Sequence, residues 1–451
     1  MRFEGFLAML AHWADRAPDA PALVYARGEA REALSHAALL RAATDRTDAL
    51  SASGIGCLGV LCDGSADCAI EILAAAAAGL QVALLDGSAD EALLMEQVTA
   101  IDADALWGDG ELIEMLSPAL RKAPIQRSGQ VLFFTSGTTH SAQAVALTEA
   151  SLCASAWNGG ALLPLQPEDT LLCLLPLNHV FGFVCGLLWG LSCGAAVALG
   201  RGMRHYADDC AFFQPTALPA VTLLLEFLTA HGALNDALRL VLIGAGSCPP
   251  RLIEAVKARG VRVCFGYGLT ETSSGVALSL GEDPYAMTVC PDDEIRIAPD
   301  GEILVHAPTC LMQGYYKNPR ATAEALQDGW LRTGDLGRLD AQGRLFVTGR
   351  KKEMLVLRDG TKLYLPEYEA RLREALGPRD LAVIERDGAP ILCVHGPEAE
   401  RAALAAAVAP VMARLPRGQR LADIRLLPHP LPRTLTGKIK RWELQQKAVE
   451  P

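Results

Sequence analysis

Short apolar runs alternate with stretches of helical spacing through the first 265 residues, and this rhythm constrains the fold more than any other feature of the chain. Runs at 60–62, 82–85, 131–135, 170–175, 240–244 and 262–265 read as buried strands. Helical spacing occupies the intervals, as at 6–16 and in the alanine-rich stretch 70–79. Strands buried on both faces and separated by helices require a mostly parallel sheet covered by helices, because a parallel connection must cross over. After about residue 290 the texture changes. Short strands at 294–297, 302–305 and 343–348 are separated by turn residues such as Pro299-Asp300-Gly301. The polar run Gly349-Arg350-Lys351-Lys352-Glu353 then precedes a tail with its own helices, at 366–376 and 402–415, and strands, at 381–385 and 391–395. The predicted fold is therefore α/β. A large N-terminal domain (1–349) of layered parallel-sheet and helix units with a distorted β region precedes a small mobile α+β C-terminal domain (350–451).

Composition removes several function classes. A net charge of −11 lacks the basic face that a nucleic-acid binder needs. The 13 cysteines form no C-x-x-C pair and no zinc spacing, so they read as apolar filler in a reducing, cytoplasmic compartment. Glu4, His12, Asp15 and Arg16 interrupt the N-terminus, so no signal peptide is expected. Residues 180–200 carry no charge, and Gly182, Gly186, Gly190 and Gly194 recur at every fourth position. That length could span a membrane. A buried helix, a break at Ser192-Cys193-Gly194 and a short strand at 195–199 is the expected reading, with no transmembrane segment.

Five motifs carry chemistry. Phe133-Phe134-Thr135-Ser136-Gly137-Thr138-Thr139 runs from a strand into small and hydroxyl residues, which can present N–H and O–H groups to phosphate. Gly266-Tyr267-Gly268-Leu269-Thr270-Glu271-Thr272 offers an aromatic for a flat base, a threonine for phosphate and a carboxylate for Mg²⁺. Trp330-Leu331-Arg332-Thr333-Gly334-Asp335-Leu336-Gly337 sets an aspartate on a turn, where it can accept two ribose hydroxyls. The basic joint at 349–353 and the segment Pro432-Arg433-Thr434-Leu435-Thr436-Gly437-Lys438-Ile439-Lys440-Arg441 complete the set. Taken singly, each is equally an ordinary turn, a solvated loop or a basic tail.

In this order and spacing the five motifs resemble the acyl-adenylate-forming superfamily of acyl-CoA synthetases, peptide-synthetase adenylation domains and luciferases, over nearly the whole chain. The run Leu311-Met312-Gln313-Gly314-Tyr315-Tyr316-Lys317-Asn318-Pro319 looks most like the fatty- and aryl-acid CoA ligases, in a short form. The resemblance implies ATP-dependent activation of a carboxylic acid to acyl-AMP, then transfer to the thiol of CoA or of the phosphopantetheine of an acyl carrier protein acting in trans. It assigns Thr135, Ser136, Gly137, Thr138 and Thr139 to the ATP phosphates, and Gly244, Ala245 and Gly246 to the face of adenine. Gly266, Tyr267 and Gly268 would lie at the base, with Tyr267 stacking on it. Thr270 would bond the α-phosphate and Glu271 would hold Mg²⁺. Asp335 would take the ribose hydroxyls with Arg350 beside it. Lys438 would bridge carboxylate and α-phosphate, and Lys352 would be the hinge of a rotating small domain. His179 would flank the acyl site, with Val180, Phe181, Val184, Gly266 and Gly275 forming an uncharged pocket. An amino-acid-activating domain would need an amine-binding aspartate where Val180 stands. Departures fall in the phosphate turn. His140 and Gln143 replace the usual glycine and lysine, Ala142 replaces a proline, and Glu149 replaces a later histidine. These departures are the support for the alternative of a degenerate adenylate-binding or regulatory homologue; a stand-alone adenylation enzyme is a further alternative.

Overall fold

A computed structural model describes residues 2–114, 128–135, 143–244, 246, 248–281, 283–357, 362–386, 388–433 and 439–447. The chain divides into two compact units. One takes up most of the chain as far as Val347, and the other runs from Thr348 and takes in Gly334–Gly337.

The first unit holds two large sheets among the described residues. In the seven-stranded sheet, Cys57–Cys62 lies between Gln81–Asp86 and Ala105–Gly108, parallel to both, and Gln130–Thr135 continues the parallel run. The strand Gln143–Thr148 then returns antiparallel. In the fourteen-stranded sheet, Pro21–Arg27, Ala196–Leu199, Thr170–Cys173, Ala217–Ala220, Leu240–Ile243 and Arg262–Leu269 are successive parallel neighbours. Beyond them the sheet turns antiparallel through Ser274–Ser279 and Met287–Val289, with Glu294–Ile297 and Glu302–His306 paired at its far end. The parallel strands are buried runs such as Leu240-Val241-Leu242-Ile243, as the apolar spacing predicts.

Residues 180–199 form the broken helix and strand expected of them. A helical turn at Val180–Phe183 passes through a π turn at Val184–Leu188 into Trp189–Cys193. Gly194 ends it in the left-handed conformation (φ 73°), and Ala196–Leu199 follows as a strand. No helix among the described residues is long and apolar enough to cross a membrane. The glycine ridge lets this helix lie directly on the sheet. A Cβ on Gly182 would stand 2.1 Å from the Pro176 carbonyl oxygen, one on Gly186 2.8 Å from Cys173 Sγ, and one on Gly190 2.5 Å from Val197 Cγ2.

The second unit has its own core, built on Leu381–Arg386, Ala389–His395 and Asp423–Leu427 with the helices Leu365–Leu376 and Arg401–Ala413. Buried Glu369 is its polar anchor. It accepts from the Val383 N–H at 2.7 Å and pairs with Arg441 at 2.6 Å.

Two expectations follow. Gly182→Ala meets backbone rather than a mobile side chain, so it should lower unfolding free energy by about 1–3 kcal/mol. Gly281→Ala, where a Cβ meets nothing within 4 Å, should be neutral; comparison of denaturant midpoints checks both. Asp293 is buried beside Asn158, whose Nδ2 donates to it at 3.2 Å. Burial, with repulsion from Asp292, pushes its carboxyl up to about 7 from the ordinary 3.8. A raised carboxyl contributes stability that is complete below the unfolded value and lost as pH rises through about 7. Asp293→Asn should therefore be more stable than the parent at pH 8, by roughly 2–4 kcal/mol at most, with the gain disappearing towards pH 4. Unfolding curves at the two pH values give the answer.

Candidate active site

The strand Arg262–Leu269 changes partners in its middle. Residues 262–265 pair with the parallel strand Leu240–Ile243, ending at Ile243 opposite Phe265. From Gly266 onwards the same strand pairs with the antiparallel Ser274–Ser279, Gly266 opposite Leu278 and Gly268 opposite Gly275, with a bulge between Tyr267 and Gly268. Sequence spacing predicts a strand ending at 265; the structure extends it through Leu269, because this second neighbour supplies the missing ladder bonds. Gly244 follows its own strand at the same level, so Gly244 and Gly266 each stand at the carboxyl end of one of two parallel neighbours. That is where ligands bind in sheets of this kind. The Gly244 N–H still reaches the Ala220 carbonyl (3.2 Å). A Cβ on Gly244 would lie 2.6 Å from the Phe181 ring, so only glycine lets that ring lie against the backbone. Gly246 is open, with nothing within 4 Å of where a Cβ would stand, and Ala245 lies outside the described residues.

The turn after Leu269 is tightly specified. Thr270–Thr272 is a single 3₁₀ turn, and the Ser273 N–H donates to the Thr270 carbonyl at 3.1 Å. Thr272, wholly buried, accepts from the Leu269 N–H and donates to the Ser274 carbonyl at 2.8 Å. Ser273 and Ser274 both have positive φ, 52° and 103°. Such backbone persists where surrounding bonds fix it, and it clusters at functional turns. A Cβ on Gly268 would be 1.7 Å from the Ser274 carbonyl oxygen, which makes glycine obligatory there. Tyr267 is only 8% exposed and belongs to the main core.

Glu271 is positioned by a segment that sequence reasoning quoted but gave no task. The Tyr315 hydroxyl donates to Glu271 Oε1 at 2.8 Å, and the Met312 N–H donates to the Glu271 carbonyl, also at 2.8 Å. Burial and the adjacent carboxylate push the Tyr315 phenol up, so it stays a donor. Tyr315 itself is fixed as an edge strand opposite Val145. No basic side chain pairs with Glu271 among the described residues, and no cluster of three or more candidate ligands surrounds it. A lone, half-buried carboxylate of this kind suits Mg²⁺ held jointly with substrate phosphates, which needs only one or two protein carboxylates.

The segment expected to meet the ATP phosphates falls between the paired antiparallel strands Gln130–Thr135 and Gln143–Thr148. Thr135 is cross-strand partner to Gln143 and donates its hydroxyl to the Gln143 carbonyl at 3.1 Å. Gln143 thus stands at the base of the turn, while Ser136, Gly137, Thr138, Thr139, His140 and Ala142 lie outside the described residues. Glu149, one of the departures, has a structural task. Its Oε1 accepts the Phe6 N–H at 2.9 Å, satisfying the start of the helix Phe6–Arg16.

Beside the hairpin lies a narrow apolar cavity of about 30 Å³, walled by Val184, Trp189, Leu242, Gly275 and Leu278. A Cβ on Gly266 would meet Leu278 and Leu242, so Gly266 borders the cavity through its wall. Of the expected pocket residues, Val184 and Gly275 are brought together here. Val180 and Phe181 do not line it: Val180 is buried and Phe181 lies on Gly244. His179 precedes the helical turn, its carbonyl accepting the Phe183 N–H at 2.9 Å.

In the second unit, buried Asp335 pairs with Arg350 Nε at 2.8 Å. A Cβ on Gly349 would strike the Tyr364 ring at 2.5 Å. Lys352 is exposed in the 3₁₀ turn Lys351–Glu353. Lys438 lies outside the described residues, but both flanks are anchored. Arg433 pairs with Asp380 and bridges to Ile439, and Arg441 pairs with Glu369. Arg441 is thus no solvated tail, a role visible only once residues 369 and 441 meet.

Comparison with known proteins agrees on one family. The profile of the AMP-binding enzymes matches residues 121–316. An indoleacetate–CoA ligase of Aromatoleum aromaticum is 33% identical over 70% of this chain and 66% of its own length. A CoA ligase of Mycobacterium tuberculosis acting on a methyl-dioxo-octahydroindenyl propanoyl group is 30% identical over 75% of this chain and 70% of its own. A sulfoacetate–CoA ligase of Cupriavidus necator is 31% identical over 78% and 73%. The chain thus spans about two thirds to three quarters of the length of these relatives. Among solved structures, an O-succinylbenzoate coenzyme A synthetase of Bacillus subtilis with ATP and magnesium matches with a TM-score of 0.79 at 24% identity, covering 97% of this chain and 99% of that one. With two relatives at 30% identity or better each matched over 70% or more of its length, the chain belongs to the AMP-binding enzyme family.

Proposed function

We propose that this chain uses MgATP to activate a compact, uncharged fatty or aromatic acid as its acyl-adenylate and transfers the acyl group to the thiol of CoA. The coarse reaction, an acid–thiol ligation through acyl-AMP, goes with the family and with relatives named as CoA ligases. The observation that supports this reading most is that Gly244 and Gly266 follow the paired strand ends Ile243 and Phe265, with an apolar cavity beside them. A nucleotide fits the first feature, and the far end of an acyl group fits the second. A carrier-protein thiol is the alternative acceptor.

A carboxylate is a weak nucleophile, and ATP repels it. A carboxylate oxygen attacks the α-phosphorus, the bond to the β-phosphate breaks and pyrophosphate leaves, which needs cations where charge gathers on the phosphate oxygens. Lys438 is the proposed cation, bridging the carboxylate and the α-phosphate, and Thr270 the proposed α-phosphate donor. Glu271, oriented by Tyr315, would hold Mg²⁺, which neutralises phosphate charge when bound. The thiol then attacks the acyl carbon, the acyl–phosphate bond breaks and AMP leaves. Asp335 and Arg350 are proposed to hold the ribose. The unit beginning near residue 350 is proposed to turn about Lys352 between the two steps. Both stretches flanking Lys438 are held by ion pairs, Arg433 with Asp380 and Arg441 with Glu369.

At the base of the phosphate turn, Gln143→Lys should lower the KM for MgATP about tenfold, the scale of one charge-assisted contact. An unchanged KM in pyrophosphate exchange would assign the missing cation's role to another group. Lys438→Ala should slow adenylation at least about a hundredfold, as loss of one electrostatic stabiliser does. It should spare transfer from synthetic acyl-AMP to CoA. Lys352→Pro should do the reverse, because a fixed φ opposes rotation. Separate rates for the two half-reactions decide this; equal damage to both steps in either variant rejects the alternating unit.

A further inference from the structure

Ser155 sits in the middle of the helix Glu149–Leu162, on the face turned to the apolar cavity, which it lines together with Val184 and Trp189. It is 3% exposed, and its hydroxyl has no hydrogen-bond partner among the described residues. Both facts run against what folding favours. A buried hydroxyl without a partner is destabilising, and alanine is the better helix former. Its immediate neighbours, Ala154 and Ala156, are both alanine. A polar atom left unsatisfied in an apolar cavity wall is open to a partner that the cavity's occupant supplies.

The cavity limits what that partner is. The cavity is narrow, with about 30 Å³ open to the centres of water-sized spheres, and so admits a small group at its wall. The wall carries no charged side chain. Its other side-chain heteroatoms are the Trp189 indole N–H, which donates to the Leu163 carbonyl at 3.2 Å, and the Cys185 thiol, which burial pushes up to about 11 and whose Sγ lies 3.5 Å from Ser274 Oγ. A carboxylate or ammonium would enter uncompensated, at high cost.

We propose that Ser155 is a specificity-determining residue that hydrogen-bonds one small, neutral polar substituent, a hydroxyl, aromatic amino or keto group, on the part of the acid remote from its carboxylate. The proposal rests on the reading above that this cavity receives the acyl group. Gly275 and Leu278 wall the cavity and pair across the hairpin with Gly268 and Gly266. A carboxylate at the Gly266–Thr272 turn therefore directs the remainder of the acid towards Ser155.

The test is ATP–pyrophosphate exchange by the full chain and its Ser155→Ala variant, with benzoate, the three monohydroxybenzoates, the three monoaminobenzoates, hexanoate and 5-oxohexanoate. The parent should favour at least one substituted acid over its unsubstituted counterpart in kcat/KM. Ser155→Ala should reduce that ratio about tenfold, leave benzoate or hexanoate turnover equal or better, and leave thermal stability equal or higher. A parent without preference, an unchanged ratio, or an equal fall for every acid would overturn the assignment; an unchanged ratio in a stabilised variant would make the hydroxyl a buried-water site. Exchange with none of the acids, while free amino acids support it, would instead defeat the underlying reading of the pocket, and this proposal with it.

Discussion

The change of partner at Gly266 is the constraint on which the rest of the first unit depends. Pairing with Leu240–Ile243 stops at the level of Phe265. The chain beyond remains extended because Ser274–Ser279 folds back on its other edge. One edge of residues 266–269 is thereby left beside the 244–246 segment. That combination of a supported strand and an open edge is what a ligand's flat face and phosphates require. Side chains would close it. Gly244 gives way to the Phe181 ring and Gly268 to the Ser274 carbonyl.

The same requirement for close backbone approach explains the uncharged stretch 180–200. Its glycines form a ridge that seats the helix on the strands Thr170–Cys173 and Ala196–Leu199, at distances no Cβ would permit. Seated so deeply, the helix brings Val184 and Trp189 against Leu242 and Leu278, and the cavity is the gap their shapes leave. The π turn at Val184–Leu188 widens the helix at the level of the cavity, which is where such turns recur in functional proteins. Stability and the site's shape thus come from one packing arrangement.

Charge is handled differently. In the second unit, buried Glu369 is matched by Arg441 and by a backbone N–H, and Asp335 by Arg350. Buried ions paired in this way are costly to break and so hold a geometry. In the first unit Glu271 accepts only from the Tyr315 phenol among side-chain hydrogen bonds between described residues, and a carboxylate oriented by a neutral donor keeps its charge for a cation.

Periodicity and motif order were legible without coordinates. The parallel strands, the helix Phe6–Arg16, the broken apolar helix and the family all follow from local spacing and from residues that are neighbours in sequence. The glycines of 266–268 could be recognised as a site because their chemistry is contiguous. Contacts between distant residues could not be. Nothing local links Tyr315 to Glu271, Glu149 to the Phe6 N–H or Arg441 to Glu369, pairs separated by 44, 143 and 72 positions. Of the residues expected to form the uncharged pocket, Val184 and Gly275 line the cavity, while the Phe181 ring lies on Gly244. Ser155 gave no signal at all in an alanine-rich helix. A local pattern specifies which elements form and which face is buried; which buried polar groups find partners is decided only when those faces meet.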